Sequence, residues 1–446
     1  MNFKTTFNGK NVLVYGMGVT GRSVLRTLPA AGCRLSLYVD GGLSDEDKAF
    51  ITALPHSKDI TIIEDAENLP LEPFAFVLRS SGISFATPLV ERAHREGKPV
   101  YTDLEIAYRL FGGENLIAIT GSNGKTTTTS LIEWILNHAG KKAIACGNIG
   151  LPILSTMLEA EEGTLFVTEC SSFQLEAVEQ FAPHRAAILN ITEDHLEWHG
   201  SFEAYAKAKA AIAHAQSARD SLWLLPGDTV ARDAIDQVGT HAKIQEVDLH
   251  APLMEELRQG IGWHLVGEHN VQNAAVAVEI AKDLGVAEEV IKQALSSFRP
   301  IEHRMEDVGT VRGVRYINDS KGTNVDATVK ALSGIHQPIL LIAGGYDKHV
   351  CFDAFFEAFR PQGKKLLLIG QTAEKLAKEA QEKGLGDRVI IAETLKKAME
   401  LATSLAEKGD LVLLSPASAS WGQYEHFEER GEEFRALVKA WKEKNE

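Results

Sequence analysis

Seven consecutive residues carry the strongest chemical signal in the chain: Thr120-Gly121-Ser122-Asn123-Gly124-Lys125-Thr126, followed by Thr127. A β-rich run, Leu116 to Ile119, precedes them, and a helical pattern through Leu131, Ile132 and Ile135 comes after. A glycine loop that enters a helix aims unpaired backbone N–H groups at a phosphate, and the helix dipole favours the anion. Lys125 adds a point charge for the β- and γ-phosphates, and the Thr126 hydroxyl suits Mg²⁺. The loop is shorter than the common G-x-x-x-x-G-K-[ST] form, with Ile119 where that form has its first glycine.

Gly16-Met17-Gly18-Val19-Thr20-Gly21 is a second phosphate-loop candidate, again after a β-rich run, Val12 to Tyr15. Asp40 closes the next run, where an acidic residue can take a ribose hydroxyl. The pattern suits NAD, but the same turn accepts any diphosphate-bearing nucleotide. No hydride-transfer residues accompany it, and the residues of the central third of the chain weigh toward a nucleotide sugar.

Two further strand ends carry chemistry. Glu169 ends one and leads into Cys170-Ser171-Ser172; Asn190-Ile191-Thr192-Glu193-Asp194-His195 comes after another. Ligands of open α/β sheets lie at the carboxyl ends of strands, so Lys125, Glu169 and His195 are expected at one end of one sheet. A lysine, a carboxylate and a histidine there suit metal-assisted phosphoryl transfer. A structural histidine is the ordinary reading of His195 alone. Tyr205, Ala208, Lys209 and Ile212 fall on one helical face, so Lys209 points inward with apolar neighbours while Lys207 points away. A buried lysine needs a partner or a changed charge. It can snorkel, contact phosphate, or react with CO₂ to become a metal-binding carbamate.

The elements that must position these residues alternate short β-rich runs with helices, the pattern of parallel α/β units. It recurs in three blocks, with breaks near Phe111-Gly112-Gly113 and Ser297-Phe298-Arg299-Pro300. The 446 residues allow two to four domains. Acidic residues outnumber basic ones, 61 to 46, for a net charge of −15. Such a body disfavours nucleic acid and anionic membrane, whose affinity comes from Lys and Arg on phosphates. Cys33, Cys146, Cys170 and Cys351 form no CxxC pair, which fits a reducing cytoplasm. No signal-peptide core and no long apolar run is present.

Together these segments resemble the Mur ligase superfamily. The phosphate loop, Glu169-Cys170-Ser171-Ser172-Phe173-Gln174 and Asn190 to His195 carry the resemblance. The phosphate loop is common to the superfamily and to folylpolyglutamate synthase. The third block selects the D-glutamate-adding branch: Ile317-Asn318-Asp319-Ser320-Lys321-Gly322-Thr323-Asn324, then Ser415 to Trp421 with Phe427 beyond. The Asp-Asn-Pro-Arg motif of the diaminopimelate- or lysine-adding branch is absent.

The resemblance implies an α/β fold of three domains, each a mainly parallel sheet flanked by helices: Rossmann-like over 1–112, P-loop-like over 113–300 and Rossmann-like over 301–446. It implies an ATP-dependent, ADP-forming ligase that joins D-glutamate to UDP-N-acetylmuramoyl-L-alanine through an acyl phosphate, in peptidoglycan precursor biosynthesis. A monomer with small-molecule partners and two Mg²⁺ sites is expected. Lys125, Glu169, His195 and a carbamylated Lys209 take the catalytic roles, with Thr126, Glu169, His195 and Lys209 on metal. ATP falls to Gly121, Ser122, Asn123, Gly124, Lys125, Thr126, Thr127, Asn270, Asn273, Arg304 and Asp319. The uridine substrate falls to Gly16, Gly18, Val19, Thr20, Gly21, Asp40, Gly82, Asn148 and His195, so the first loop is assigned to uridine nucleotide rather than NAD. D-Glutamate falls to Lys321, Thr323, Lys348, Ser420 and Phe427. Gly41-Gly42 replace the hydroxyl and basic residues that some relatives carry after Asp40, and the segment around Lys348 varies among relatives.

Overall fold

The computed structural model describes residues 7–149, 151–261, 265, 267–298, 302–333, 335–347 and 350–445. Among them the alternating runs pair into three sheets. The first contains β1 (Asn11–Tyr15), β2 (Arg34–Tyr38), β3 (Ile60–Ile63), β4 (Phe76–Arg79) and β5 (Val100–Tyr101), all parallel, in the order β3-β2-β1-β4-β5. The second contains β6 (Leu116–Thr120), β7 (Ala143–Gly147), β8 (Leu165–Glu169), β9 (Arg185–Ile188), β10 (Ser221–Leu224) and β11 (Lys243–Glu246), also parallel, in the order β11-β10-β9-β6-β8-β7. The third contains β12 (Glu306–Val311), β13 (Val314–Asn318), β14 (Ile339–Ala343), β15 (Gly363–Ile369), β16 (Val389–Glu393) and β17 (Leu411–Leu414), in the order β12-β13-β17-β14-β15-β16. Only its edge pair β12–β13 is antiparallel.

Helices on both faces of a parallel sheet leave its central strands no solvated side, so those strands are apolar throughout. Every residue of β6, β14 and β17 is buried accordingly. The edges read differently. β11 is exposed along its whole length and β12 is mostly polar; β5 has two residues. β5, β11 and β12 lack the apolar runs that mark the central strands in the sequence. The helix Leu395–Leu405 between β16 and β17 turns one apolar face inward, with Leu395, Ala398 and Ala402 buried.

The chain forms two compact units. The first comprises Met1–Ile191, Trp198–Ala251 and Gln272–Leu295 and carries the first two sheets; the second comprises Thr192–Glu197, Pro252–Val271 and Ser296–Glu446 and carries the third. The expected break near 112 falls inside the first unit, just past helix Asp103–Phe111, where Gly112 takes φ 83°. The expected break at 300 lies outside the described residues. No helix of the described residues is long and apolar enough to cross a membrane.

Within the first unit, polar groups fasten the two sheet layers together. The Glu105 side chain is 0% exposed. Its carboxylate accepts the backbone N–H groups of Glu179, Gln180 and Phe181 at 2.9–3.0 Å, and the Arg109 guanidinium at 2.6 Å. Removing one partner of a buried ion pair leaves an uncompensated charge and costs about 3–5 kcal/mol. Glu105→Ala is therefore expected to destabilise the first unit by that amount in denaturant unfolding. A loss below about 1 kcal/mol, the level of a surface pair, would contradict this role for Glu105.

Candidate active site

The phosphate loop comes after β6, which lies between β8 and β9. Gly124, at φ 87°, caps helix Lys125–His138 in a left-handed conformation. A Cβ there would land on the Asn273 side chain. The loop is held from behind by Asn190: its carbonyl oxygen accepts Ser122 N–H at 2.8 Å, its Oδ1 accepts Asn123 N–H at 2.9 Å, and its Nδ2 donates to Asn123 O at 3.0 Å. Lys125 Nζ folds back onto Gly121 O and Ser122 O at 2.8 and 2.9 Å. Thr126 and Thr127 are buried in the first helical turn. Asn270 and Asn273, both buried, lie one turn apart on helix Glu268–Asp283.

Parallel pairing places Ile119 opposite Glu169, which brings that carboxylate to the mouth of the loop. Glu169 Oε1 accepts from Asn148 Nδ2 at 2.9 Å. Its Oε2 is buried and has no hydrogen-bond partner among the described residues. A carboxylate oxygen withdrawn from water without a donor is the kind of ligand a hard cation takes. Lys209 is 2% exposed, as its helical face required. Its Nζ donates to Gly121 O at 2.7 Å and stands 4.6 Å from the Tyr205 ring centre. The Tyr205 hydroxyl meets Ser122 Oγ at 2.9 Å. The first unit thus gathers Lys125, Thr126, Asn148, Glu169 and Lys209 around one loop. Tyr205 and Asn190 are members that the motifs did not single out, though Tyr205 shares the helical face used to orient Lys209.

His195 comes after β9 in the chain but belongs with its neighbours Thr192–Glu197 to the second unit. It adopts φ 53° and lies 3.6 Å from both the Asp194 and the Glu197 carboxylates. Asp194 Oδ2 in turn accepts from Asn324 Nδ2 at 3.0 Å.

The first glycine loop comes after β1, between β2 and β4. Gly16 donates its N–H to Tyr38 O at 2.9 Å. A Cβ on Gly21 would land on Gly16 O, so that glycine is needed for close approach. Gly18 caps helix Val19–Thr27; Val19 is exposed and Thr20 buried. The Tyr15 hydroxyl donates to Asp40 Oδ2 at 2.5 Å, and burial pushes the phenol well above its usual range. Gly82 lies just beyond β4, and a Cβ there would meet nothing.

In the second unit, Asp319 directly follows β13 and is buried, with Ser415 Oγ donating to Oδ2 at 2.7 Å and Met305 N–H to Oδ1 at 3.2 Å. Burial raises its carboxyl, opposed by the nearby Arg304 and by Ser415. Lys321 Nζ lies 5.1 Å from the Phe427 ring centre. Arg430, missed in the sequence, is 1% exposed and donates to Ser320 Oγ, Ser320 O and Ser418 O at 3.0, 2.8 and 3.3 Å. It binds the Asp319–Thr323 segment to the Ser415–Ser420 segment, and burial pulls its guanidinium down to about 10. A cavity of about 510 Å³ opens among Thr323, Asn324, Ser418, Tyr346 and Asp194. Of the expected amino-acid contacts only Thr323 lines it; Lys321, Phe427 and the buried Ser420 do not. Lys348 lies outside the described residues. Glu302, His303 and Glu432 come close enough to hold a metal, but Arg435 forms ion pairs with both carboxylates at 3.1 and 2.9 Å and accounts for their charge.

A left-handed residue that also touches a neighbour cannot accept a side chain. Gly124→Ala combines about 1–3 kcal/mol of backbone strain with the Asn273 clash. ADP affinity, measured by calorimetry, is expected to fall at least tenfold while the protein stays folded. Unchanged affinity would show that the loop does not hold the phosphates.

The model of the Mur ligase middle domain matches residues 119–281, and that of the Mur ligase glutamate ligase domain matches residues 303–418. The chain is 37% identical to the UDP-N-acetylmuramoylalanine–D-glutamate ligase of Caldanaerobacter subterraneus subsp. tengcongensis, over 96% of this chain and 98% of that one. It is 39% identical to the ligase of the same name from Koribacter versatilis, over 97% of each. Among solved structures, the MurF ligase of Thermotoga maritima in complex with ADP superposes with a TM-score of 0.58 at 14% identity, over 98% of this chain and 96% of that one. With near full-length identity at this level, two family models on its second and third sheets and the shared three-sheet α/β fold, the chain belongs to the Mur ligase family.

Proposed function

We propose that the chain is an ATP-dependent, ADP-forming ligase that joins D-glutamate to UDP-N-acetylmuramoyl-L-alanine in peptidoglycan precursor synthesis. The carrying observation is the cluster in the first unit: a phosphate loop with Lys125, the unpartnered buried Oε2 of Glu169, and Lys209 on Gly121 O. The names of the relatives supply the amino acid. The terminal L-alanine carboxylate attacks the γ-phosphorus and ADP departs. The amine of D-glutamate then attacks the acyl phosphate, phosphate leaves, and the amine proton passes to water.

The chain's residues contribute binding and charge. The loop N–H groups and Lys125 neutralise the phosphates as charge develops, which is where preorganised donors act. Thr126, Glu169, His195 and Lys209 as a carbamate would hold Mg²⁺ at two sites. Mg²⁺ supplies further neutralisation of the transferred phosphoryl group when bound. The carbamate forms when the Lys209 ammonium loses one proton to water, its Nζ bonds to the carbon of CO₂, and a second proton leaves the nitrogen, which turns a cation into an anion. Asn270, Asn273, Arg304 and Asp319 serve the adenosine; Gly16, Gly18, Val19, Thr20, Gly21, Asp40, Gly82 and Asn148 serve the uridine substrate; Lys321, Thr323, Lys348, Ser420 and Phe427 serve D-glutamate. The corresponding domains are 1–112, 113–300 and 301–446, in a cytoplasmic monomer.

Phosphate release in the presence of ATP and UDP-N-acetylmuramoyl-L-alanine should require D-glutamate and ignore L-glutamate and L-lysine. Release with no amino-acid dependence, or with L-lysine alone, overturns the reading. Lys125→Ala should lower kcat about a hundredfold or more, the scale of a lost transition-state donor. Lys209→Ala should be inactive and regain part of its activity with short carboxylic acids; a fully active variant removes Lys209 from the chemistry.

A further inference from the structure

One largely buried carboxylate in the first unit has no role in the reaction proposed above. Glu176 receives Arg79 Nη2 at 2.5 Å and Trp198 Nε1 at 3.1 and 3.2 Å, and lies 3.5 Å from His199 Nδ1. Arg79 is 0% exposed and ends β4, directly before Ser80-Ser81-Gly82. It also donates to Ile83 O at 2.5 Å and Phe173 O at 2.8 Å, and lies 4.3 Å from the Phe85 ring centre. On the other side, His199 Nε2 lies 3.0 Å from Ser172 Oγ. Its ring stacks on Phe173 at 5.7 Å and meets the Tyr205 ring at 5.3 Å. The Tyr205 hydroxyl reaches Ser122 in the phosphate loop.

These contacts form one continuous path through the first unit, from the turn after β4 to the phosphate loop. Each step is a directional hydrogen bond, an ion pair or a ring contact between largely buried groups. Such groups cannot trade partners for water without a full desolvation penalty. A shift of Arg79 therefore has to be answered at Glu176, and then at His199 and Tyr205.

We propose that Glu176 and His199 are positioning residues that couple ligand occupancy of the first glycine loop to the nucleotide affinity of the second. A uridine diphosphate group in the turn formed by Gly16–Gly21 and Ser80–Gly82 holds Arg79 in place. Through Glu176, His199 and Tyr205 this holds Ser122 and its loop in the phosphate-binding form. The inference rests on the assignment of the first loop to a uridine nucleotide and of the second to ATP.

The test uses UDP and ADP as probes on the full chain. ADP affinity is measured by calorimetry with and without saturating UDP, for the parent protein, Glu176→Gln and His199→Phe. The last keeps a ring against Phe173 and loses both polar contacts. In the parent, UDP is expected to tighten ADP binding about fivefold or more, the lower range of measured couplings. In both variants each ligand alone still binds, and the ratio falls to about one. A merely structural residue would lower stability or both affinities without removing the ratio. If Glu176→Gln does not fold, His199→Phe decides. A parent ratio of one, or a ratio unchanged in the folded variants, overturns the coupling and leaves the ligand assignments standing. Absence of UDP binding to the parent overturns the assignment of the first loop, and the coupling with it.

Discussion

The constraint on which the rest depends is the reversal of strand order in each parallel sheet. Where neighbouring strands are reached from opposite directions, no crossover covers the carboxyl end between them, and a crevice remains. β1 lies between β2 and β4, β6 between β8 and β9, and β17 between β13 and β14. The loops Gly16–Gly21, Gly121–Thr126 and Ser415–Ser420 each emerge from one of these strands. Their neighbours in the sheet then fix which residues meet them: Tyr38 and Arg79 flank Tyr15, and Glu169 pairs with Ile119.

Buried charge does the fine positioning. Glu105, Arg79, Lys209, Asp319 and Arg430 are all withdrawn from water, and each makes a hydrogen bond to a group distant in the chain. A buried polar group without a partner costs more than a typical contact gains, so these residues tolerate few arrangements of the segments they join. Arg430 sets Ser320 against Ser418, and Glu105 sets one helix against the 179–181 backbone. The net charge of −15 belongs to the chain as a whole, while Lys125 and Lys209 gather locally at the second glycine loop.

Much of this was legible in the sequence, and the reason differs by element. β6, β14 and β17 were visible because a strand covered on both faces must be apolar. β11 and β12 were not, because edge strands need no apolar run. Lys209 could be placed inward from the 3.6-residue period alone. Arg430 could not, since nothing in Glu428-Glu429-Arg430-Gly431 distinguishes a buried arginine from a solvated one. Lys321, Thr323, Ser420 and Phe427 were grouped by resemblance; the fold sets Lys321 over Phe427 and Thr323 in the lining of the cavity. His195 was placed by strand order, and its segment Thr192–Glu197 belongs to the second unit.

The sequence by itself determined the local chemistry. Glycines that permit close approach, a lysine and threonine at a helix start, and apolar runs of strand length act over a few residues and need no distant partner. The tertiary structure alone decided which of those residues share a site. Pairings such as Glu176 with Arg79, Lys209 with Gly121 and Arg430 with Ser320 span up to 110 positions. They form because a buried polar group must find its partners within the fold, and no local pattern records which segments the fold brings near.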